Sequence, residues 1–315
     1  MRPGLTASAN TQSGVVTTAQ ALEQGYTYKE ILTLVRRGEW IRVRHGAYTD
    51  GATWEHADER QRHLVVVRAA LLAVDDESVA SHDSAAVAHD LPTWGLNLTG
   101  VMLTRPFERT SRREAGVEHH LAELPVEQVT TVRGLRVTSA VRTSLDVARK
   151  RGYEAGLVSA NAALHAGPSL TDLQGAADLM AEWPGGAASS AVARDADGRI
   201  ETPGETLTWI LLQGMALDVE PQVRFPEIGA RVDFELKGRG VIVEFDGRLK
   251  YVTADGEADV RALWEEKKRE DRIRELGYEF VRVYWEDLFG LRRARTEQRI
   301  RAAIARAATS RRMPA

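Results

Sequence analysis

Residues 231–247, Arg-Val-Asp-Phe-Glu-Leu-Lys-Gly-Arg-Gly-Val-Ile-Val-Glu-Phe-Asp-Gly, leave the backbone little choice. Val232, Phe234 and Leu236 alternate with polar residues before the turn, and Val241, Val243 and Phe245 alternate after it. Period-two alternation is the signature of strands with one apolar face. Gly238 and Gly240 bracket the turn, and a two-residue loop at Gly238-Arg239 pairs Lys237 with Gly240. That register sets Asp233 opposite Glu244 and Arg231 opposite Asp246, with the apolar set on the other face. The acidic face is therefore expected to line a cleft. Directly opposed residues have Cβ atoms about 4.5–5.5 Å apart, so the two carboxylates repel unless a cation sits with them. The candidates are a divalent metal ion, Lys250 or Arg231.

A hard cation on carboxylate oxygens activates water and neutralises phosphate charge, with a lysine to orient the water. Asp233, Glu244 and Lys250 are the residue types that phosphodiester hydrolysis requires, with Asp246 beside them. The competing reading is a structural carboxylate cluster held by lysine and arginine. Glu205 divides the same way. Thr202-Pro203-Gly204-Glu205 fits a capping box with Thr202 as N-cap, and it equally presents a further carboxylate to the metal. Glu201 reads as a first-turn or solvated charge. The helix Trp264–Gly277 carries Lys267, Lys268, Arg269, Arg272 and Arg274, with Ile273 and Leu276 on its buried stripe. The last helix sets Arg292, Arg293, Arg295, Arg299, Arg301 and Arg306 against Glu297, a surface for phosphates or for solvent.

A chain of 315 residues is too long for one average domain. Its formal net charge of −3 places any nucleic-acid surface locally, balanced by acids elsewhere. The absence of cysteine excludes disulfides, thiolate metal sites and cysteine nucleophiles. Residues 1–14 lack an apolar core and read as a frayed tail. The apolar run Leu64–Val74 is too short for a bilayer and holds Arg68, so a soluble cytoplasmic protein without membrane partners is expected.

Four segments separate by pattern. Residues 14–55 read as helix, turn, helix and a two-stranded wing: Gly25 and Gly38 stop the helices, and Trp40–Arg44 turns back at His45-Gly46. Tyr28, Lys29, Thr33, Arg36 and Arg37 fall off the apolar stripe of the second helix, and Arg42 and Arg44 project from the wing. Tyr28, Lys29, Arg36, Arg37, Arg42 and Arg44 are the candidate DNA contacts, suited to phosphates and silent on bases. Residues 56–182 alternate helices and strands without a recognisable chemistry; His82, His89, His119 and His120 lack acids at ligand spacing and read as packing or surface residues. Residues 183–198, beginning Trp-Pro-Gly-Gly, read as a linker. Residues 199–308 run helix, three strands, helix, strand, helix, an α/β sandwich on a mixed sheet.

Two resemblances bear on these segments. Gly14–Tyr48, reading GVVTTAQALEQGYTYKEILTLVRRGEWIRVRHGAY, resembles the N-terminal domain of AbiEi-type antitoxins, and SHDSAAVAHDLP and GLRVTSAVRTSLDVAR look like segments that accompany it. Residues 200–288 resemble the PD-(D/E)xK nuclease superfamily, in the branch similar to very-short-patch-repair endonucleases. The matching pieces include PGET, PQVRFP, RVDF, VIVEFDG, EKKRED and GYEFVRVYWEDL. The resemblance implies Glu205, Asp233 and Glu244 as ligands of Mg²⁺ or Mn²⁺, and Lys267, Arg269 and Arg272 along the phosphates. The family's lysine, two residues after the second acid, is Asp246 here, which shifts that role to Lys250.

The expectation is thus a mixed α/β multidomain DNA-binding protein with a metal-dependent endonuclease domain, in phage defence or a toxin–antitoxin setting. The alternative is an antitoxin-like regulator whose nuclease fold is silent. DNA is the expected partner, and a homodimer and a toxin or defence-system protein stay open.

Overall fold

The computed structural model describes residues 2–12, 14–74, 77–106, 112–114, 116–247 and 260–310. They form a mixed α/β protein with three sheets in two compact units, Met1–Ala196 and Asp197–Ala315.

The first unit opens with α1 (Pro3–Thr11), β1 (Val15–Thr17), α2 (Thr18–Glu23), α3 (Tyr28–Arg36), β2 (Trp40–Arg44) and β3 (Ala47–Asp50), a winged-helix-like region whose sheet runs β1-β3-β2. Threonine begins both central helices. Thr17 and Thr27 accept N–H bonds from Gln20 and Glu30, whose side chains return the bond in capping boxes. The tail expected at the N-terminus is instead a helix: Leu5 and Ala9 of α1 enter the core formed by Val16, Ala21, Ile31, Trp40 and Tyr48. Arg2 ties it down, donating to the Gln24 carbonyl at 2.8 Å and lying 4.3 Å from the Tyr26 ring centre. Ordinary alternation does not reveal α1, because only two of its residues are buried apolar anchors.

The helices α4 (Gly51–His56) and α5 (Glu59–Leu71) follow without a break in packing. Val15 and Ala47 of the wing sheet share a core with Ala69 of α5, with Val43 and Val65 against it. The boundary expected at residue 55 therefore falls inside one unit. Only glycine fits at 51, where a Cβ would lie 2.0 Å from the Gly38 carbonyl oxygen. The strands β4 (Val79–Ala80), β5 (Val101–Arg105), β6 (Arg112–Glu114), β7 (Val117–Leu121), β8 (Val129–Val132) and β9 (Leu135–Thr138) build a sheet in the order β6-β7-β5-β4-β9-β8. Between β4 and β5 lies α6 (His82–Ala88); after β9 come α7 (Ala140–Arg151), α8 (Tyr153–His165), α9 (Leu170–Leu179) and α10 (Gly186–Asp195).

The helix α10 corrects the linker expected at 183–198. Trp183 is in contact with two arginines of α7, with guanidinium carbons 4.8 Å (Arg142) and 5.0 Å (Arg149) from its ring centre. Arg149 also donates to the Pro184 carbonyl at 2.9 Å, and Ser189 donates to Leu145 at 3.1 Å. Gly185 turns the chain with φ +81°, and Val192 and Ala193 are then buried. Proline and glycine here make a tight entry to a helix, the same residues a linker would use.

The second unit comprises α11 (Pro203–Gly214), β10 (Val219–Phe225), β11 (Ala230–Leu236), β12 (Val241–Phe245), α12 (Val260–Glu275), β13 (Glu279–Val283) and α13 (Gly290–Ser310). Its sheet runs β10-β11-β12-β13, antiparallel except for the parallel β12–β13 pair. The hairpin register is Leu236↔Val241, Glu235↔Ile242 and Phe234↔Val243, as the turn predicts. One further step sets Asp233 opposite Glu244. The face expected to line a cleft is not open, however. All of β12 is buried, and Ile242, which shares its face with Glu244, packs in one cluster with Ile273 of α12. Leu276, expected on the buried stripe of α12, is exposed instead.

Candidate functional site

The α3 helix and the wing present a cationic, ridged surface. Ile31 is buried, while Tyr28 is 66% and Leu32 53% exposed. Four-residue spacing stacks Tyr28, Leu32 and Arg36 along one side of the helix. Lys29, Arg36 and Arg37 are exposed, Arg42 is exposed on β2 and Arg44 is half-buried beside it. Arg42 is steadied by His45 of the wing turn, 2.8 Å from guanidinium to Nδ1. Arg37 lies 3.7 Å from Glu39. Each of the six DNA-contact candidates thus sits on α3 or the wing.

Residues 5–49 match the family described as "Transcriptional regulator, AbiEi antitoxin". The likeness covers the helices and wing just described. Among solved structures, the crystal structure of the RV2827C protein from Mycobacterium tuberculosis is similar at 14% identity and a TM-score of 0.40, covering 65% of this chain and 78% of that one. No curated protein matches. Among the described residues no helix is long and apolar enough to cross a membrane.

In the second unit each acid singled out by the sequence takes a protein donor. Glu205, 5% exposed, stands at the start of α11 because Gly204 lets the helix close on the sheet: a Cβ there would meet the Phe245 ring at 2.0 Å. Thr202 caps the helix, accepting from Glu205 N–H at 3.2 Å and donating its hydroxyl to Glu205 Oε1 at 2.8 Å. The returning bond of a capping box goes one residue further back than expected, with Glu205 Oε2 accepting from the Glu201 N–H at 3.1 Å. Gln222, held at φ +57°, donates to the same oxygen at 2.8 Å. Asp233 Oδ2 accepts from the Phe245 N–H at 2.8 Å. Glu244 receives both Nη atoms of Arg269 at 2.7 Å, and Arg269 Nη1 also donates to the Arg231 carbonyl at 2.9 Å.

The counter-charges differ from those the sequence offered. Arg231, a candidate counter-charge for the Asp233–Glu244 pair, forms its ion pair with Glu201 at 2.7 Å, and that hydrogen bond raises its pKa. Glu201 is thereby an ion-pair partner. Asp246 pairs with Arg282 at 3.2 Å, and Arg282 also meets Glu270 of α12 at 3.0 Å. Arg269 turns inward, while Lys267 and Arg272 stay exposed on α12. Lys250 lies outside the described residues. Arg282 and Glu270 stand inside GYEFVRVYWEDL and EKKRED but carry no role in the sequence reading; the parallel pairing of Glu244 with Arg282 across β12–β13 brings them to the acids.

The donor set is chemically suited to a hard cation, all carboxylate oxygen. Among the described residues no three His, Asp or Glu side chains gather as a metal-holding group, and Glu244 is charge-paired with Arg269. In α13, Arg299 and Arg306 pair with Asp287 and Glu279 at 2.9 Å, acids from outside the helix that its own sequence does not contain. Arg295 and Arg301 are exposed.

Proposed function

We propose that the chain is a DNA-binding transcriptional regulator of the antitoxin kind, gripping the duplex with α3 and the wing. The observation that carries this is the row of cations on α3, whose first turn is held by a capping box, and on the wing beside it. Such residues neutralise phosphates, and counterion release makes the affinity fall with salt. The Tyr28 and Leu32 side chains supply apolar contact for base edges in a groove. A homodimer and a toxin or defence-system partner belong to this proposal. Titrating duplex DNA at several salt concentrations tests it. Arg36→Ala and Arg42→Ala should each weaken binding and flatten the salt slope by about one unit per lost phosphate contact. Salt-dependent binding untouched by both substitutions would remove the reading.

A second reading assigns the C-terminal unit Mg²⁺- or Mn²⁺-dependent hydrolysis of DNA phosphodiesters, with Glu205, Asp233 and Glu244 as ligands and Lys250 as the catalytic lysine. It is favoured by the hairpin register, which sets Asp233 across from Glu244. Incubating supercoiled plasmid with the protein and either ion tests it. Nicking that disappears in Glu244→Ala supports the reading; no nicking, or nicking that survives the substitution, ends it.

A further inference from the structure

The acids of the second unit raise a question the DNA-binding reading does not touch. Asp233 and Glu244 face one another across a hairpin, and opposed carboxylates repel. Something must offset that repulsion. Glu244 is 7% exposed, too deep for water to do it.

Arg269 fills the role. Its two terminal nitrogens reach both Glu244 oxygens at 2.7 Å, the forked geometry in which guanidinium matches carboxylate best. One of those nitrogens also reaches the Arg231 carbonyl at 2.9 Å. A single side chain from α12 thereby fastens β11 and β12 together. The next residue, Glu270, does the same on the far side by pairing with Arg282 of β13. Asp233 meanwhile spends an oxygen on the Phe245 N–H, and Glu205 spends both on Thr202, Gln222 and Glu201. The carboxylates that resemble a cation site are arranged around an organic cation and backbone donors.

We infer that Arg269 is the resident cation of the Asp233–Glu244 pair, so that a divalent ion and the docked α12 exclude one another. A metal ion on Glu244 would set a second cation against the Arg269 guanidinium and compete for the two oxygens it holds, and the α12 side of the sheet loses its staple when Arg269 yields. The same pair therefore holds α12 in place in the absence of metal, and any metal chemistry of this unit begins with release of Arg269.

The test uses the full chain and Mn²⁺ alone as the probe, followed by titration calorimetry and by thermal unfolding. Wild-type protein should show no Glu244-dependent Mn²⁺ binding in the micromolar range. Arg269→Gln should bind Mn²⁺ at least about tenfold more tightly and gain thermal stability from the ion, and Arg269→Gln with Glu244→Gln should lose both effects. If Arg269→Gln does not fold, Arg269→Lys replaces it, since one ammonium cannot span both Glu244 oxygens and the Arg231 carbonyl. Micromolar Mn²⁺ binding by wild type that vanishes in Glu244→Gln overturns the inference. So does an Arg269 variant that folds and binds Mn²⁺ no better than wild type.

Discussion

Asp146 is 0% exposed, and it keeps company with two arginines: Arg142 Nε at 3.0 Å and Arg149 Nη1 at 3.1 Å. Arg142, itself 1% exposed, also donates to Gln128 Oε1 at 2.6 Å. A buried pair of this kind adds little net stability over an apolar substitute, but breaking it strands a charge. Arg142→Ala should therefore cost roughly 3–5 kcal/mol, read by urea unfolding. A loss under about 1 kcal/mol would show that Arg149 alone compensates Asp146. His82 stacks on His120 with ring centres 3.9 Å apart, and the two histidines illustrate how polar residues serve this interior. His63 bridges the Leu98 carbonyl and the Ser84 hydroxyl, each at 3.0 Å, and His89 donates to the Thr138 carbonyl at 2.7 Å. Burial lowers the pKa of His63, His82, His89 and His120 below the ordinary histidine value.

At the scale of elements, α3 depends on its first turn. Thr27 accepts the Glu30 N–H at 3.2 Å and Glu30 returns a bond of 2.7 Å to the Thr27 N–H. The bond from the Thr27 N–H, with a second from the Thr27 hydroxyl at 2.8 Å, lowers the Glu30 pKa. Thr27→Ala should cost about 1 kcal/mol and weaken DNA binding along with it, because Tyr28 and Lys29 ride on that turn. Denaturation and a DNA titration on the same variant check both. Elements of this kind are legible: Thr202, Gly25 and Gly38 mark their own helix ends, and the Lys237–Gly240 turn dictates a register. The elements α1 and α10 are not, because their evidence is tertiary. Nothing local announces that Arg2 will grip Gln24, or that Arg142 and Arg149 will both meet the Trp183 ring. The candidate acids are legible by type and placed by register, but their partners Gln222, Arg269 and Arg282 lie 17, 25 and 36 residues away, beyond what periodicity reads. For α10, Val192→Asp tests how far it belongs to its unit. Burying an unpaired carboxylate at a 0% exposed position should lower the unfolding midpoint of residues 1–196 by several degrees or prevent folding.

Over the whole molecule, all 8 histidines lie before residue 197, so only the first unit contains any. The four with lowered pKa are kept neutral in the fold and take up protons on unfolding once the pH drops below about 6.5. Their contribution is complete above that value and is lost as the pH falls toward their folded pKa values. Calorimetry from pH 7.5 to 5.5 should show the transition of residues 1–196 moving to lower temperature, with the transition of residues 197–315 nearly still. Equal movement of both would mean that the buried histidines are not the acid-sensitive groups.

The Arg269 clamp has a bearing on the choice of chaotrope. Guanidinium chloride brings to the solution the very cation that Glu244 already holds, together with salt that screens the Arg231, Arg282 and Arg299 pairs. Urea does neither. Guanidinium ordinarily unfolds proteins with about twice the slope of urea. In the second unit a substitute guanidinium can occupy Glu244 while α12 departs, so this unit should yield to guanidinium at a lower concentration than that ratio implies, and the difference should vanish in Glu244→Gln.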